Sequence, residues 1–273
     1  MKTILATVDF SPASDNAVNY AVNLCRYFGA KLVLFHAYHV PVVNFENGFI
    51  RPIIDMKTDS EEELKKLTHK LRCKYKDLNI RYDVRMGLAA EVIEEAAKAK
   101  CADLIVMGIT GESGSFKKHF MGSVTTEVAK TSFIPVLIVP ENSKFIRIKN
   151  VAFACDLDKT FETNTIINKV KNYCKEFKAA LEVLNVMKPG EEMSMEKAEV
   201  GNYIEARLEI TNHNTFFIYD KKVYRGLLEY VDHYDTDMII MCPRKHSFWR
   251  DLFKRSNTER LAFNSHIPIL TVH

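Results

Sequence analysis

The chain repeats itself, and that repeat limits the folds open to it. Ala102-Asp103-Leu104-Ile105-Val106-Met107 returns as Thr236-Asp237-Met238-Ile239-Ile240-Met241, 134 positions later. Ile134-Pro135-Val136-Leu137-Ile138-Val139 returns as Ile267-Pro268-Ile269-Leu270-Thr271-Val272, 133 positions later. Ile4-Leu5-Ala6-Thr7-Val8-Asp9 matches Val151-Ala152-Phe153-Ala154-Cys155-Asp156, 147 positions later. Three matches in one order indicate a duplicated domain, and 273 residues hold two units of ordinary size. We assign the first domain to residues 1–140 and the second to 150–273, parted by the polar stretch Pro140-Glu141-Asn142-Ser143-Lys144.

Each half alternates short apolar runs with helix-like stretches. In the first half the strands are expected at Thr3–Val8, Lys31–Ala37, Ile80–Arg85, Leu104–Met107 and Val136–Val139. They are rich in Val, Ile and Leu and mostly unbroken by polar residues, as strands covered on both faces should be. Helices are expected at Ser14–Phe28, opened by a serine cap, and at Ser60–Leu78, Ala89–Lys100 and Ser123–Thr131. The second half repeats the order, with strands near Val151–Ala154, Ala180–Val186, Phe216–Tyr219, Met238–Met241 and Ile269–Val272 and a surface loop at Pro189–Lys197. Such alternation predicts an α/β fold, two tandem open five-stranded parallel sheets flanked by helices and built from right-handed crossovers. The fifth strands are apolar runs on what would be open sheet edges, so the halves are expected to pack as an intrachain pseudo-dimer. A homo-oligomer of the chain is compatible with this reading but not required by it.

Composition excludes several classes. A formal charge of +3 spread over 38 basic and 35 acidic residues gives no electrostatic footprint for nucleic acid or a membrane surface. No apolar run approaches the roughly 20 residues of a membrane helix, and Lys2 and Asp9 bracket too short a stretch for a signal-peptide core. Cys25, Cys73, Cys101, Cys155, Cys174 and Cys242 form no C-x-x-C pair, which argues for free thiols in a reducing, cytoplasmic setting and against a zinc site.

The stretch Met107-Gly108-Ile109-Thr110-Gly111, followed by Gly122-Ser123-Val124, carries the chemistry. In an open parallel sheet, ligands bind beyond the carboxyl ends of the strands. Glycine there lets backbone N–H groups approach an oxyanion, and Gly122-Ser123 opens a helix whose N–H groups and dipole favour negative charge. The pattern is a phosphate cradle without a G-x-x-x-x-G-K-[ST] string, and the first strand leads into Asp9-Phe10-Ser11-Pro12 rather than G-x-G-x-x-G.

An aspartate after strand one, G-x-x-G after strand four, Gly-Ser before the last helix and an Ile-Pro-Val-Leu-Ile-Val strand together resemble the universal stress protein family, twice along the chain. The resemblance implies an adenine-nucleotide α-hydrolase-like fold and, in one branch of the family, binding of ATP or AMP, with or without Mg, in a stress-response or regulatory role. The other branch binds no nucleotide and serves as a dimerisation or interaction module. No general catalytic mechanism is implied, at most a slow ATPase. Carried over, Asp9 would face adenine or ribose, and the backbone near Ala37 would pair with the adenine edge. Gly108 would lie beside ribose and phosphates, and Gly111, Gly122 and Ser123 would donate to phosphate oxygens. Thr7, Met107 and Val124 complete the expected site. The nucleotide-binding signature has nine residues between its second and third glycines. Here ten separate Gly111 from Gly122, and Thr110 stands where relatives often have a basic residue.

In the second half, Cys242, Lys245 and Arg255 replace Gly108, Gly111 and Gly122, while Asp156 remains. Three side chains at close-approach positions predict that this copy forms no such cradle. The cations Arg244, Lys245, Arg250, Lys254 and Arg255 read as a solvated basic loop or, alternatively, a side-chain anion site. Asp9 is open to a second role as a helix cap. His36, His39, His119 and His246 lack paired acids, Ser113 and Ser115 lack a nucleophile elbow, and Phe248 and Trp249 read as packing residues. No catalytic residue is assigned.

Overall fold

The computed structural model describes residues 1–39, 53–109, 123–155, 157, 163–208, 213–242 and 266–273. The chain folds as two compact units that divide between Glu141 and Asn142.

The first unit contains β1 (Thr3–Thr7), α1 (Pro12–Phe28), β2 (Lys31–Tyr38), α2 (Ile53–Lys74) and β3 (Ile80–Met86), then α3 (Ala89–Ala99), β4 (Leu104–Ile109), α4 (Ser123–Thr131) and β5 (Val136–Pro140). Its strands are all parallel, in the order β3-β2-β1-β4-β5. The order reverses at β1, so the carboxyl ends of β1 and β4 flank the topological switch point. Ile4–Ala6, Leu32–Phe35, Leu104–Met107 and Val136–Val139 are all buried, as expected of strands covered on both faces. Each buried Leu, Ile or Val adds about 1.5–3 kcal/mol relative to exposure.

Helix α1 follows from its sequence. Ser11 is extended and its hydroxyl accepts from Ser14 N, Pro12 occupies the first turn, and Gly29, at φ 65°, ends the helix in the left-handed conformation. Ala13, Ala17, Val18, Ala21, Leu24 and Cys25 recur at helical spacing on its buried face. The expected serine cap is therefore Ser11, three residues before Ser14. Helix α2 begins seven residues before Ser60 and ends at Lys74, because its mixed polar sequence gives little amphipathic contrast from which to read an end.

The second unit contains β6 (Asn150–Ala154), α5 (Thr163–Phe177), β7 (Ala180–Met187), α6 (Met195–Leu208) and β8 (His213–Tyr219), then α7 (Val223–His233), β9 (Met238–Met241) and β10 (Ile269–Thr271). These strands are also parallel, in the matching order β8-β7-β6-β9-β10. Lys178, at φ 56°, stands in left-handed conformation just after α5, where the first unit has Gly29. The expected Pro189–Lys197 loop is shorter than read. Ser194 accepts from Lys197 N at 3.2 Å and its carbonyl from Ala198 N at 3.0 Å, so α6 starts at Met195.

The repeat that marks the duplication has a structural cause. Asp103 accepts from Lys2 N (2.6 Å) and Thr3 N (2.9 Å), and Asp237 accepts from Lys149 N (2.7 Å) and Asn150 N (2.9 Å). In each unit the aspartate ahead of the fourth strand thus holds the start of the first. No helix among the described residues is long and apolar enough to cross a membrane.

Candidate functional site

At the switch point, β1 ends in Thr7 and the chain turns through Val8, Asp9 and Phe10 into α1. Asp9 Oδ1 accepts from Ser11 N at 3.0 Å and from Ser11 Oγ at 2.6 Å, while Asp9 N donates to Ser14 Oγ at 3.1 Å. Ser14 in turn donates to Thr7 O at 3.3 Å. Asp9 is thus not the cap of α1; it props the residue that is. It is exposed just beyond the carboxyl end of β1.

Phe10 follows at φ 61°, a conformation unusual for an aromatic residue and costing about 1–3 kcal/mol. Its ring lies 5.0 Å from that of His36, whose Nδ1 sits 2.6 Å from Val8 O. A carbonyl can only accept, so Nδ1 carries the proton of this bond and ties the end of β2 to the turn after β1. Ala37 is half-buried beside it, paired in register with Arg85.

Gly108 is the centre of the arrangement. A Cβ added there would lie 2.4 Å from Ala13 O, 2.6 Å from Ala13 C and 2.9 Å from Ser14 N. The first turn of α1 therefore rests directly on β4 backbone, and this contact alone requires glycine. From the other side, Thr125 Oγ1 in the first turn of α4 donates to Gly108 O at 3.0 Å. The amino ends of two helices thereby converge on one glycine at the carboxyl end of β4. The positive ends of both helix dipoles favour an anion there. Met107 is buried, and Ser123 and Val124 form the first two positions of α4.

The structure thus brings Thr7, Asp9, Gly108, Ser123 and Val124 to one end of the first sheet, with Ala37 one strand further on. Gly111 and Gly122 lie outside the described residues, as do Thr110, Ser113, Ser115 and His119. Ser11, Ser14 and Thr125 are functional supports that the sequence reading missed. Only Pro12 after Ser11, an N-terminal helix signal, could have pointed to the first of them.

In the second unit Asp156 and residues 243–265 lie outside the described residues, among them Lys245, His246, Trp249 and Arg255. Cys242, which stands where the first unit has Gly108, is 1% exposed. Asn185 takes the place of His36, its Nδ2 donating to Cys155 O at 2.9 Å as His36 does to Val8 O. All six cysteines are free. Burial pushes the thiols of Cys25 and Cys174 up to about 12, so both stay protonated and unreactive. Among the described residues, no cluster of acids, histidines and thiols could hold a metal.

Comparison with known proteins agrees with this architecture. A universal stress protein of Methanocaldococcus jannaschii is 32% identical over 146 residues, covering 52% of this chain and 84% of that protein. A solved universal stress protein of Archaeoglobus fulgidus superposes with a TM-score of 0.74 at 18% identity, covering 99% of this chain and 97% of that one. A putative universal stress protein of Pseudomonas aeruginosa superposes with a TM-score of 0.63 at 12% identity, covering 100% and 93%. At these identities the two superpositions establish the fold alone. The profile of the universal stress protein family matches residues 1–140, and the chain belongs to that family.

Proposed function

We propose that the first unit binds one adenine nucleotide, ATP or AMP, with or without Mg, at the β1/β4 switch point, and that occupancy serves a regulatory, stress-response role in the cytoplasm. The observation that carries this reading is the meeting of the α1 and α4 amino ends at Gly108. It supplies a fixed positive pole of backbone dipoles, which suits the negative charge of a phosphate. Asp9, beyond β1, would take a ribose or adenine donor, with Thr7, Ala37 and Met107 as the walls. Gly111, Gly122, Ser123 and Val124 would complete the phosphate side. With no residue among the described ones placed to activate water, turnover would be at most slow.

Titration calorimetry of the full chain with Mg-ATP and with AMP tests this. One site per chain is expected. Mass spectrometry of the supernatant from freshly purified, denatured protein should also release ATP or AMP. Two equivalent sites, or no heat at millimolar nucleotide and nothing released, would overturn it.

One observation favours a second reading, a module of the same fold that binds no nucleotide. Gly108 is already required by its contact with Ala13, so its presence needs no ligand. On that reading the switch point is a packed junction, and the calorimetric experiment gives the null result.

A further inference from the structure

We propose that the second unit carries a separate pocket, beneath α6, for a small neutral apolar molecule bearing one hydrogen-bond donor. A cavity of about 290 Å³ lies between this helix and the β7–β8 face, walled by Leu157, Val183, Ile204 and Phe217, with Asn185 and Gly201. Strand periodicity puts Val183 and Asn185 on one face of β7, and their register partners Thr215 and Phe217 continue that face on β8. Ala198, Gly201 and Glu205 recur along α6 at the spacing of one helix face. The cavity lies on the β7–β8 side of β6, away from β9; Leu157 and Asn185 stand where the first unit has Phe10 and His36, so it borders the counterpart of the β2 side of the first unit's site but not that of Gly108.

Two features of the pocket cost stability without a packing return. Gly201 sits within α6, where glycine is about 1 kcal/mol worse than alanine. A Cβ there would meet only Leu157 Cδ1, at 3.9 Å, so no close contact demands the glycine. Its missing side chain leaves the cavity open. The second feature is Asn185, which is 3% exposed. Its Nδ2 is committed to Cys155 O, a group that can only accept, and this fixes the amide orientation. Oδ1 then has no hydrogen-bond partner, and a buried acceptor left unpaired is costly. Asn185 lines the cavity, so a donor on a bound molecule would satisfy Oδ1 once the amide swings toward it.

The rim selects against charge. Lys197 is paired with Glu191, and Glu205 accepts from Thr215 and from His213 at 2.8 Å, so neither seeks an ionic partner. The first unit differs in sequence at two of the lining positions. The positions matching Asn185 and Thr215 carry the larger His36 and Tyr82. The volume, close to the lower end for ligand pockets, suits a ring system of the size of indole or naphthol.

Equilibrium dialysis of the full chain with 2-naphthol and with 2-methoxynaphthalene, the same ring without a donor, tests the proposal. We expect one 2-naphthol per chain with a Kd below about 1 mM and a preference over the ether of about tenfold, the worth of one net hydrogen bond. Gly201→Leu fills the cavity and favours the helix, so it should keep or raise the thermal midpoint while abolishing binding of both probes. Asn185→Ala should erase the preference between them. The proposal is overturned if wild type binds neither probe, binds both equally or takes up many equivalents. It is equally overturned if folded Gly201→Leu binds 2-naphthol as wild type does. The wild-type comparison of the two probes decides the matter even if a variant fails to fold.

Discussion

Gly108→Ala is the perturbation whose outcome separates packing from ligand binding at the switch point. The added methyl would stand 2.4 Å from Ala13 O and 2.6 Å from Ala13 C, when carbon contacts are comfortable at about 3.5–4.0 Å. Both obstacles are backbone, so no rotamer change relieves them and the first turn of α1 must move by about 1 Å. That turn is held by the Ser11 cap and by the bonds of Ser14 to Thr7 and Asp9. Overpacking of this kind costs about 1–3 kcal/mol, and weakening the cap adds up to about 1 kcal/mol. Against this, alanine restricts the unfolded chain and returns about 0.4–1 kcal/mol. Gly108 is not among the positive-φ glycines, so no backbone strain enters. The net expectation is a loss of roughly 1–3 kcal/mol, or a midpoint lowered by about 3–10 °C for a unit of this size. Urea and thermal unfolding followed by far-UV circular dichroism measure it. A variant within about 0.5 kcal/mol of wild type would refute the packing argument. If that stable variant had also lost nucleotide, Gly108 would owe its identity to the ligand.

Four further outcomes are expected. Gly122→Val should abolish nucleotide binding in calorimetry while leaving the circular dichroism spectrum unchanged, because a helix start tolerates Val and a phosphate approaching backbone donors does not; wild-type affinity would mean the phosphates lie elsewhere. Asp103→Ala and Asp237→Ala should each cost roughly 1–2 kcal/mol in urea unfolding, two charge-assisted bonds at an exposed strand end, with Asn partly restoring stability because one amide oxygen can accept both N–H groups. Lys178→Gly should stabilise the second unit by about 1 kcal/mol by relieving a left-handed lysine, read as a higher thermal midpoint. Burial raises the pKa of Glu182, partly countered by the Tyr230 hydroxyl. The folded state then holds this proton more tightly than the unfolded one, so its contribution to stability falls as pH rises above the ordinary glutamate range. Glu182→Gln should therefore gain on wild type with rising pH, and parallel stability profiles would contradict the sign.

The sequence alone determined the parts of this protein that depend on local pattern. Unbroken runs such as Leu104–Met107, alternating with helix-like stretches, read as strands covered on both faces and joined in parallel. The recurrence of Asp103 as Asp237 announced a duplicated unit. Tertiary structure decided what depends on distant residues meeting. The sequence offered Gly108 as a phosphate glycine, yet its missing Cβ is filled by Ala13 backbone, 95 positions away in the chain, a contact no local pattern encodes. Asp9 reads equally as a cap or a ligand group until Ser11 is seen between it and α1. The pocket beneath α6 is set by Leu157, Asn185, Gly201 and Phe217 from four separate segments. Each is unremarkable in sequence, because a cavity is the absence of side chains where several elements meet.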